Sequence, residues 1–364
     1  MSNPFIHIRN WYARFERPIS SASLVSGFVF NALTLKRVDM FLENFWIVSH
    51  LLIVAICIVC INMMGNENED EKNPVKVYFW LVNILQFFFG GLLSTFLVFY
   101  FRSSELTTSW PFFLILTFAF WANESLKRHY ARLSFQISLF YLSLFLFAIF
   151  FVPVVEHKIG PGIFLLSGAV SLIAIGFFLL ILAFVAWKKF SQSIKIVLLA
   201  IAGIFVAVNL LYFFNLIPPI PLSLKDGGVC HSVMKDADGN YVVQHENTGW
   251  RKYVTLYPDF HLKADDPVYV YSAVFSPPSL NTTIVHEWQY DDPQTRAWTD
   301  SERIVLSVAG GREGGFRTYS MKTGVAPGHW RVTVATLKGR VIGRVRFNVV
   351  AADTASPLQP RVDD

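Results

Sequence analysis

Residues 194–221 read IKIVLLAIAGIFVAVNLLYFFNLIPPIP, and this stretch divides the chain in two. From Ile194 to Ile217 the only charge is Lys195. At 1.5 Å of rise per residue, about 20 apolar residues cross a hydrocarbon core roughly 30 Å thick. Pro218, Pro219 and Pro221 then end the helix, because proline lacks the backbone N–H and its ring clashes with the preceding turn. Everything before this point is dominated by apolar runs, and everything after it has ordinary globular composition.

That contrast explains the whole-chain figures. The 364 residues are 53% hydrophobic and 16% charged, whereas a soluble domain carries about 25% charged residues. Working back from Ile217, apolar segments at 162–186, 133–155, 108–123, 76–101 and 44–64 also have spanning length or close to it. A weaker segment at 19–36, rich in Ser20, Ser21, Ser23, Ser26 and Gly27, makes a seventh span whose small residues permit close helix packing. The expected architecture is an α-helical bundle of about seven transmembrane helices followed by an all-β, immunoglobulin-like sandwich. Its parts are a cytoplasmic amphipathic lead-in at 1–18, the bundle at 19–217, a linker at 218–226, the β domain at 227–350 and a disordered tail at 351–364.

Charge sets the orientation. Leu222 onward carries 16 basic and 16 acidic residues, so the excess of +5 lies in the membrane half, with 15 basic and 10 acidic. Two basic loops are expected, Lys127–Arg128–Arg132 and Lys188–Lys189–Lys195, separated by two spans and so on one side. With Arg9, Arg14 and Arg17 they place the N-terminus inside and the β domain outside, since Lys and Arg are retained in short cytoplasmic loops. The acidic loop Glu67, Glu69, Asp70, Glu71 falls on the same side and weighs little. This topology accounts for the charge and leaves no case for a nucleic-acid partner.

Ionisable residues are scarce inside the spans, where they would mark a transport path. Gln86, Gln136 and Asn209 are the central polar groups, and the expectation is that they bond across helices. Gly90-Gly91 is the one candidate helix break. Cys57 and Cys60 read as small apolar residues, and Cys230 stands alone.

After Gly227 the pattern becomes alternating short runs with turn residues between them, the signature of strands. In the last hairpin Trp330, Val332 and Val334, with Val341, Val345, Phe347 and Val349, form an inward face. The outward face presents Arg331, Arg340, Arg344 and Arg346, either a solvated face paired with acidic neighbours or a surface for anionic headgroups, a glycan or a protein. A glycine-rich loop, Gly310 to Gly315, carries Arg312 and Glu313 and leads to Arg317 and Tyr319. Phosphate loops need a following helix and a Lys-Ser/Thr, which are absent here. Trp288, Arg312, Arg317 and Tyr319 are a candidate platform for a sugar or peptide, the bland alternative being that Trp288 is core. No metal-ligand spacing joins His231, His245, His261, His286 and His329, no nucleophile elbow is present, and no cofactor is expected.

The runs HEWQYDDPQTRAW (286–298), GGREGGFRTYS (310–320) and GHWRVTVATLKGRVIGRVRFNV (328–349) resemble the bacterial domain of unknown function 2914 family. The resemblance implies a bacterial, membrane-bound protein of uncharacterised role, and it supplies no catalytic residues. The expected function is therefore a protein of the cytoplasmic (inner) membrane whose outer sandwich binds an envelope glycan or partner protein. The alternative is a transporter or membrane enzyme with the β domain as an accessory.

Overall fold

A computed structural model describes residues 26, 28–35, 39–64, 74–125, 130, 132–235, 241–246, 255–352 and 357–363. The lead-in at 1–18, the acidic loop, Lys127 and Arg128, and much of the 19–36 segment lie outside the described residues. The chain forms two compact units: Met1–Arg102 with Trp110–Leu216, and Ser103–Ser109 with Ile217–Asp364.

In the first unit a helical stretch at 28–34 precedes six helices. These are α1 (Phe41–Met64), α2 (Pro74–Arg102), α3 (Leu106–Ser125), α4 (Leu133–Glu156), α5 (Pro161–Val185) and α6 (Trp187–Phe213). Five helices among the described residues are long and apolar enough to cross a membrane: α1, α2 from Trp80, α4, α5 and α6. The most buried is α4, which packs against α1, α2, α5 and α6. Its Phe140, Phe145 and Phe150 are buried, and Phe145 stacks on Phe205 of α6 at 5.7 Å.

The Lys188–Lys189 segment is not a loop. Only Ala186 separates α5 from α6, so both lysines occupy the first turn of α6. Lysine is a good helix former, and the apolar run beginning at Ile194 hides a helix start seven residues earlier.

Polar side chains in this unit bond to one another. Asn62 donates to Gln136 at 2.8 Å, Gln136 donates to the Tyr130 carbonyl, and the Tyr130 hydroxyl donates to Asn123. Gln86 donates to the Asn123 carbonyl at 3.2 Å. Gln86 and Gln136 thus link helices as expected, while Asn209 bonds back to Phe205 O within α6 at 2.8 Å. The Gly90-Gly91 pair does not break α2. A Cβ on Gly91 would lie 3.1 Å from the His50 ring, so glycine here admits a neighbouring helix's side chain.

The second unit is β-rich. Its strands are β1 (Ser223–Cys230), β2 (Ser232–Lys235), β3 (Tyr241–Glu246), β4 (Asp259–Leu262), β5 (Val268–Phe275), β6 (Thr282–Asp292), β7 (Ala297–Val308), β8 (Phe316–Lys322), β9 (Gly328–Thr336), β10 (Val341–Ala351) and β11 (Leu358–Asp363). They form a three-stranded sheet β1-β5-β8, a five-stranded sheet β4-β10-β9-β6-β7 and a small sheet β11-β3-β2. Among the described residues every strand pairing is antiparallel except β4 with β10.

The three- and five-stranded sheets share one core. Val268 and Val270 from the first meet Trp288, Trp330, Val332, Val345, Phe347 and Val349 from the second. The inward faces of the last hairpin are as the alternation predicts except at Val341, where a register shift before Gly343 leaves Val341 half-buried and buries Ile342 instead. Three further features differ from the sequence reading. Strand structure starts at Ser223, inside the expected linker; β4 appears where no strand was expected; and Leu358–Asp363, within the expected disordered tail, pairs with β3. These are short or edge strands, which carry little alternation to read.

Candidate functional site

The outward face of the five-stranded sheet is built by period-two alternation. On β9, Trp330 and Val332 turn inward, so Arg331 and Thr333 turn outward; on β10, Val345 and Phe347 do the same for Arg344 and Arg346. Arg346 is the register partner of Arg331, and Arg344 that of Thr333. Arg340 lies just before β10, in a turn where its N–H bonds Thr336 Oγ1.

Two of these arginines converge on one carboxylate. Arg344 Nη1 lies 2.8 Å from Glu105 Oε2, and Arg346 Nη2 lies 2.6 Å from Glu105 Oε1. Glu105 belongs to Ser103–Ser109, which counts with the β-rich unit. The same carboxylate accepts the Thr108 N–H at 3.1 Å and the Thr107 hydroxyl, so it also caps the first turn of α3. The group is largely enclosed, with side-chain exposures of 9% for Glu105, 16% for Arg344 and 19% for Arg346. Burial alone would raise the Glu105 carboxyl. Hydrogen bonds from Thr107 and Arg346 and the charges of Arg344 and Arg346 outweigh it and hold the carboxyl below its ordinary value. Burial lowers Arg344, and Glu105 opposes that shift. No sequence signal pairs residue 105 with residues 344 and 346.

Arg331 has a different environment. Its Nε donates to Gln289 Oε1 at 2.6 Å, and its guanidinium lies 4.0 Å from the Trp298 ring centre. Trp298, missed as a candidate, is the surface tryptophan of this face. Trp288 is core: it has no exposure, and its indole N–H donates to Ser320 at 3.0 Å. A platform built on Trp288, Arg312, Arg317 and Tyr319 is therefore not assembled, because the tryptophan is enclosed between the sheets.

His286, Trp288 and Ser320 belong to a buried polar chain joining the two sheets. His286 lies 2.8 Å from both Ser272 Oγ and Ser320 Oγ, and Ser272 lies 3.1 Å from Thr318 Oγ1. One polarity gives each hydrogen an acceptor as far as Thr318: Trp288 N–H to Ser320, Ser320 O–H to His286 Nδ1, His286 Nε2–H to Ser272, and Ser272 O–H to Thr318. Burial lowers the imidazole to about 4, which keeps it neutral. Ser272 and His286 are both fully buried, so this serine–histidine pair meets no substrate.

The glycine-rich loop folds on its own chain. A Cβ on Gly310 would lie 1.9 Å from Pro277 O, and one on Gly315, whose φ is +92°, would lie 2.7 Å from the Ala273 backbone. The close approach that glycine permits is thus intramolecular. Arg312 and Glu313 are exposed at its tip, with Arg312 over the Phe316 ring at 5.6 Å. Arg317 and Tyr319 follow on β8, and Tyr319 is 43% exposed.

A cleft of about 800 Å³ opens in the β-rich unit, lined by Lys225, Asp226, His245, Asp259, Arg344 and Arg346 among others. His245 Nδ1 is buried there without a hydrogen-bond partner. Beside it, Glu246 bridges His231 at 3.0 Å and His261 at 2.9 Å. Among the described residues no group of three or more His, Cys, Asp or Glu could hold a metal ion.

A family model described as protein of unknown function, DUF2914, covers the segment carrying most of these features. Residues 281–349 match it. The matched segment spans β6, β7, β8, β9 and most of β10, and within it His286 and Trp288 meet at Ser320 while Trp330 stacks edge-on to Trp288 at 6.4 Å. No curated protein matches the chain. Among solved structures, an immunoglobulin-like protein from Pseudomonas aeruginosa aligns at 10% identity and TM-score 0.20, covering 35% of this chain and 96% of that one. Alkylpurine DNA glycosylase AlkC from Pseudomonas fluorescens, bound to abasic-site DNA, aligns at 10% identity and TM-score 0.21, covering 85% and 99%. Neither likeness carries an argument about fold or function.

Proposed function

We propose that this is a bacterial inner-membrane protein whose helices anchor an immunoglobulin-like domain on the outer side, where it binds an envelope glycan. The sheet order supports the immunoglobulin assignment. In that fold one sheet holds the first, second and fifth main strands and the other holds the third, sixth and seventh, with a buried tryptophan on the third. Here β1-β5-β8 and β10-β9-β6 follow that division, β7 adds beside β6 where variable-type domains carry their extra strands, and Trp288 occupies β6.

Crossing number and orientation rest on parity. Ser103–Ser109 and Ile217–Asp364 form one unit, which a bilayer cannot divide. The helices α4, α5 and α6 lie between these segments, and three crossings would separate them. An even number requires α3 to cross as well; its Trp110 and Trp121, both exposed, suit the two interfaces. Arg132 precedes α4 and Lys188 and Lys189 lie in the first turn of α6, two crossings later and so on one side, with one further crossing, α6 itself, before the chain enters the β-rich unit. Retention of basic residues inside puts the β-rich unit outside.

The observation that carries the binding role is the polar cleft. Its volume falls in the ligand-pocket range of about 300–1,000 Å³. Its mixed cations and carboxylates match a polyhydroxylated ligand better than an apolar one. The test is cosedimentation of the full chain, reconstituted in nanodiscs, with purified peptidoglycan sacculi. Saturable binding that His245→Ala and Asp259→Ala each weaken supports the role. Binding unchanged in both variants, or absent in the parent, refutes it.

A further inference from the structure

Next to the Glu105 group, the same sheet face carries rings that neither the core nor the cleft requires. Tyr257 stacks on His329 with centroids 4.5 Å apart, and runs nearly parallel to Trp298 at 6.3 Å. Arg331 lies on the Trp298 ring, and its register partner is Arg346, so the aromatic group continues the Glu105–Arg344–Arg346 group along the face. Tyr257 and Trp298 are half-buried, the His329 side chain is 49% exposed and Leu256 is 64% exposed.

Trp, Tyr and Arg with an exposed leucine match the chemistry of a bilayer's headgroup layer. Amphipathic rings settle at that depth, an arginine binds phosphate while its stem covers apolar surface, and a leucine reaches the acyl boundary. Glu105 caps the first turn of α3 and is gripped by this same face. If α3 crosses the membrane, its first turn starts at the headgroups, which brings the face within a few residues' reach of them.

We propose that Leu256, Tyr257, Trp298, His329 and Arg331 form a surface that rests on anionic phospholipid headgroups of the outer leaflet. Arg331 takes a phosphate, its guanidinium aimed by Gln289 and Trp298. Asp291, 4.0 Å from His329, makes the histidine the weaker contributor. This inference rests on the topology proposed above, with α3 as a crossing helix; Leu256 also lines the cleft, whereas Tyr257, Trp298, His329 and Arg331 do not, so Trp298 is the position that separates the two readings.

Hydrogen–deuterium exchange of the full chain tests it, in nanodiscs of phosphatidylcholine alone and in nanodiscs with phosphatidylglycerol added. Peptides containing Leu256–Tyr257 and Trp298 are expected to exchange more slowly in the anionic discs. The 310–315 loop, about 35 Å away along β7 at roughly 3.4 Å per residue, is expected to be unchanged. Arg331→Ala is expected to shrink the difference about fivefold, the effect of one basic group at an anionic surface. Unaltered exchange of the core peptide containing Trp288 shows that the variant is folded. Equal exchange at Trp298 in both lipids, or protection there that appears only when sacculi are added, overturns the proposal. Loss of lipid dependence with sacculus binding intact removes the lipid surface and leaves the glycan reading standing.

Discussion

Replacing Glu105 with alanine removes a carboxylate shared by Arg344, Arg346 and the first turn of α3. Both ion pairs are short, at 2.8 and 2.6 Å, and all three side chains are less than one-fifth exposed. Breaking a buried pair from one side costs about 3–5 kcal/mol, because a charge is left uncompensated. Residual solvent around the two guanidinium groups brings this to the lower end, and loss of the cap adds about 1 kcal/mol. The expected loss is therefore about 3–4 kcal/mol in the β-rich unit. Glu105→Gln keeps an acceptor for the Thr108 N–H, and so should lose less. The assay is urea unfolding of the full chain in nanodiscs, read by exchange of the β6 and β9 peptides. Acid should mimic the alanine variant: the folded carboxyl titrates below its unfolded value, so its contribution is present above the unfolded pKa and lost as pH falls through the folded one. If Glu105→Ala and the parent unfold within about 0.5 kcal/mol of each other, the scatter of ordinary surface substitutions, the shared carboxylate is not a structural element.

Three further outcomes follow from other parts of the molecule. His286 falls from 6.5 to about 4 on folding, so the neutral ring's stabilisation is complete above pH 6.5 and declines towards pH 4 by about 3 kcal/mol; His286→Phe should flatten that part of a stability–pH profile. Gly310→Ala should cost about 3 kcal/mol by forcing a Cβ into Pro277 O, whereas Gly314→Ala, with open space around it, should be neutral in the same denaturation series. Gln136→Leu removes the acceptor of Asn62 and a donor to the Tyr130 carbonyl, and should lower bundle stability by about 1 kcal/mol, measured as a lower Tm in detergent.

The sequence made the membrane half and the last hairpin legible because both rest on long, regular periodicity. The alternation of Trp330 to Val334 and Val345 to Val349 fixed which faces are buried. The start of α6 was not legible, since the lysines of its first turn look like a loop when hydropathy alone is read. Of the site, the arginine face was readable but its partner was not: Glu105 lies more than 200 residues away and has no local signal. Trp288 and Trp298 carry similar local context, and only the pairing register puts one in the core and the other beside Arg331. The glycines of the 310–315 loop signal close approach, but sequence does not say to what.

In the topology proposed above the helices anchor the chain and the β-rich unit lies outside the cytoplasmic membrane. Protease added to intact spheroplasts expressing the full chain with a C-terminal epitope measures this directly. The epitope is expected to be lost while a cytoplasmic marker survives. An epitope that resists protease until the membrane is permeabilised, and is then rapidly lost, would contradict it.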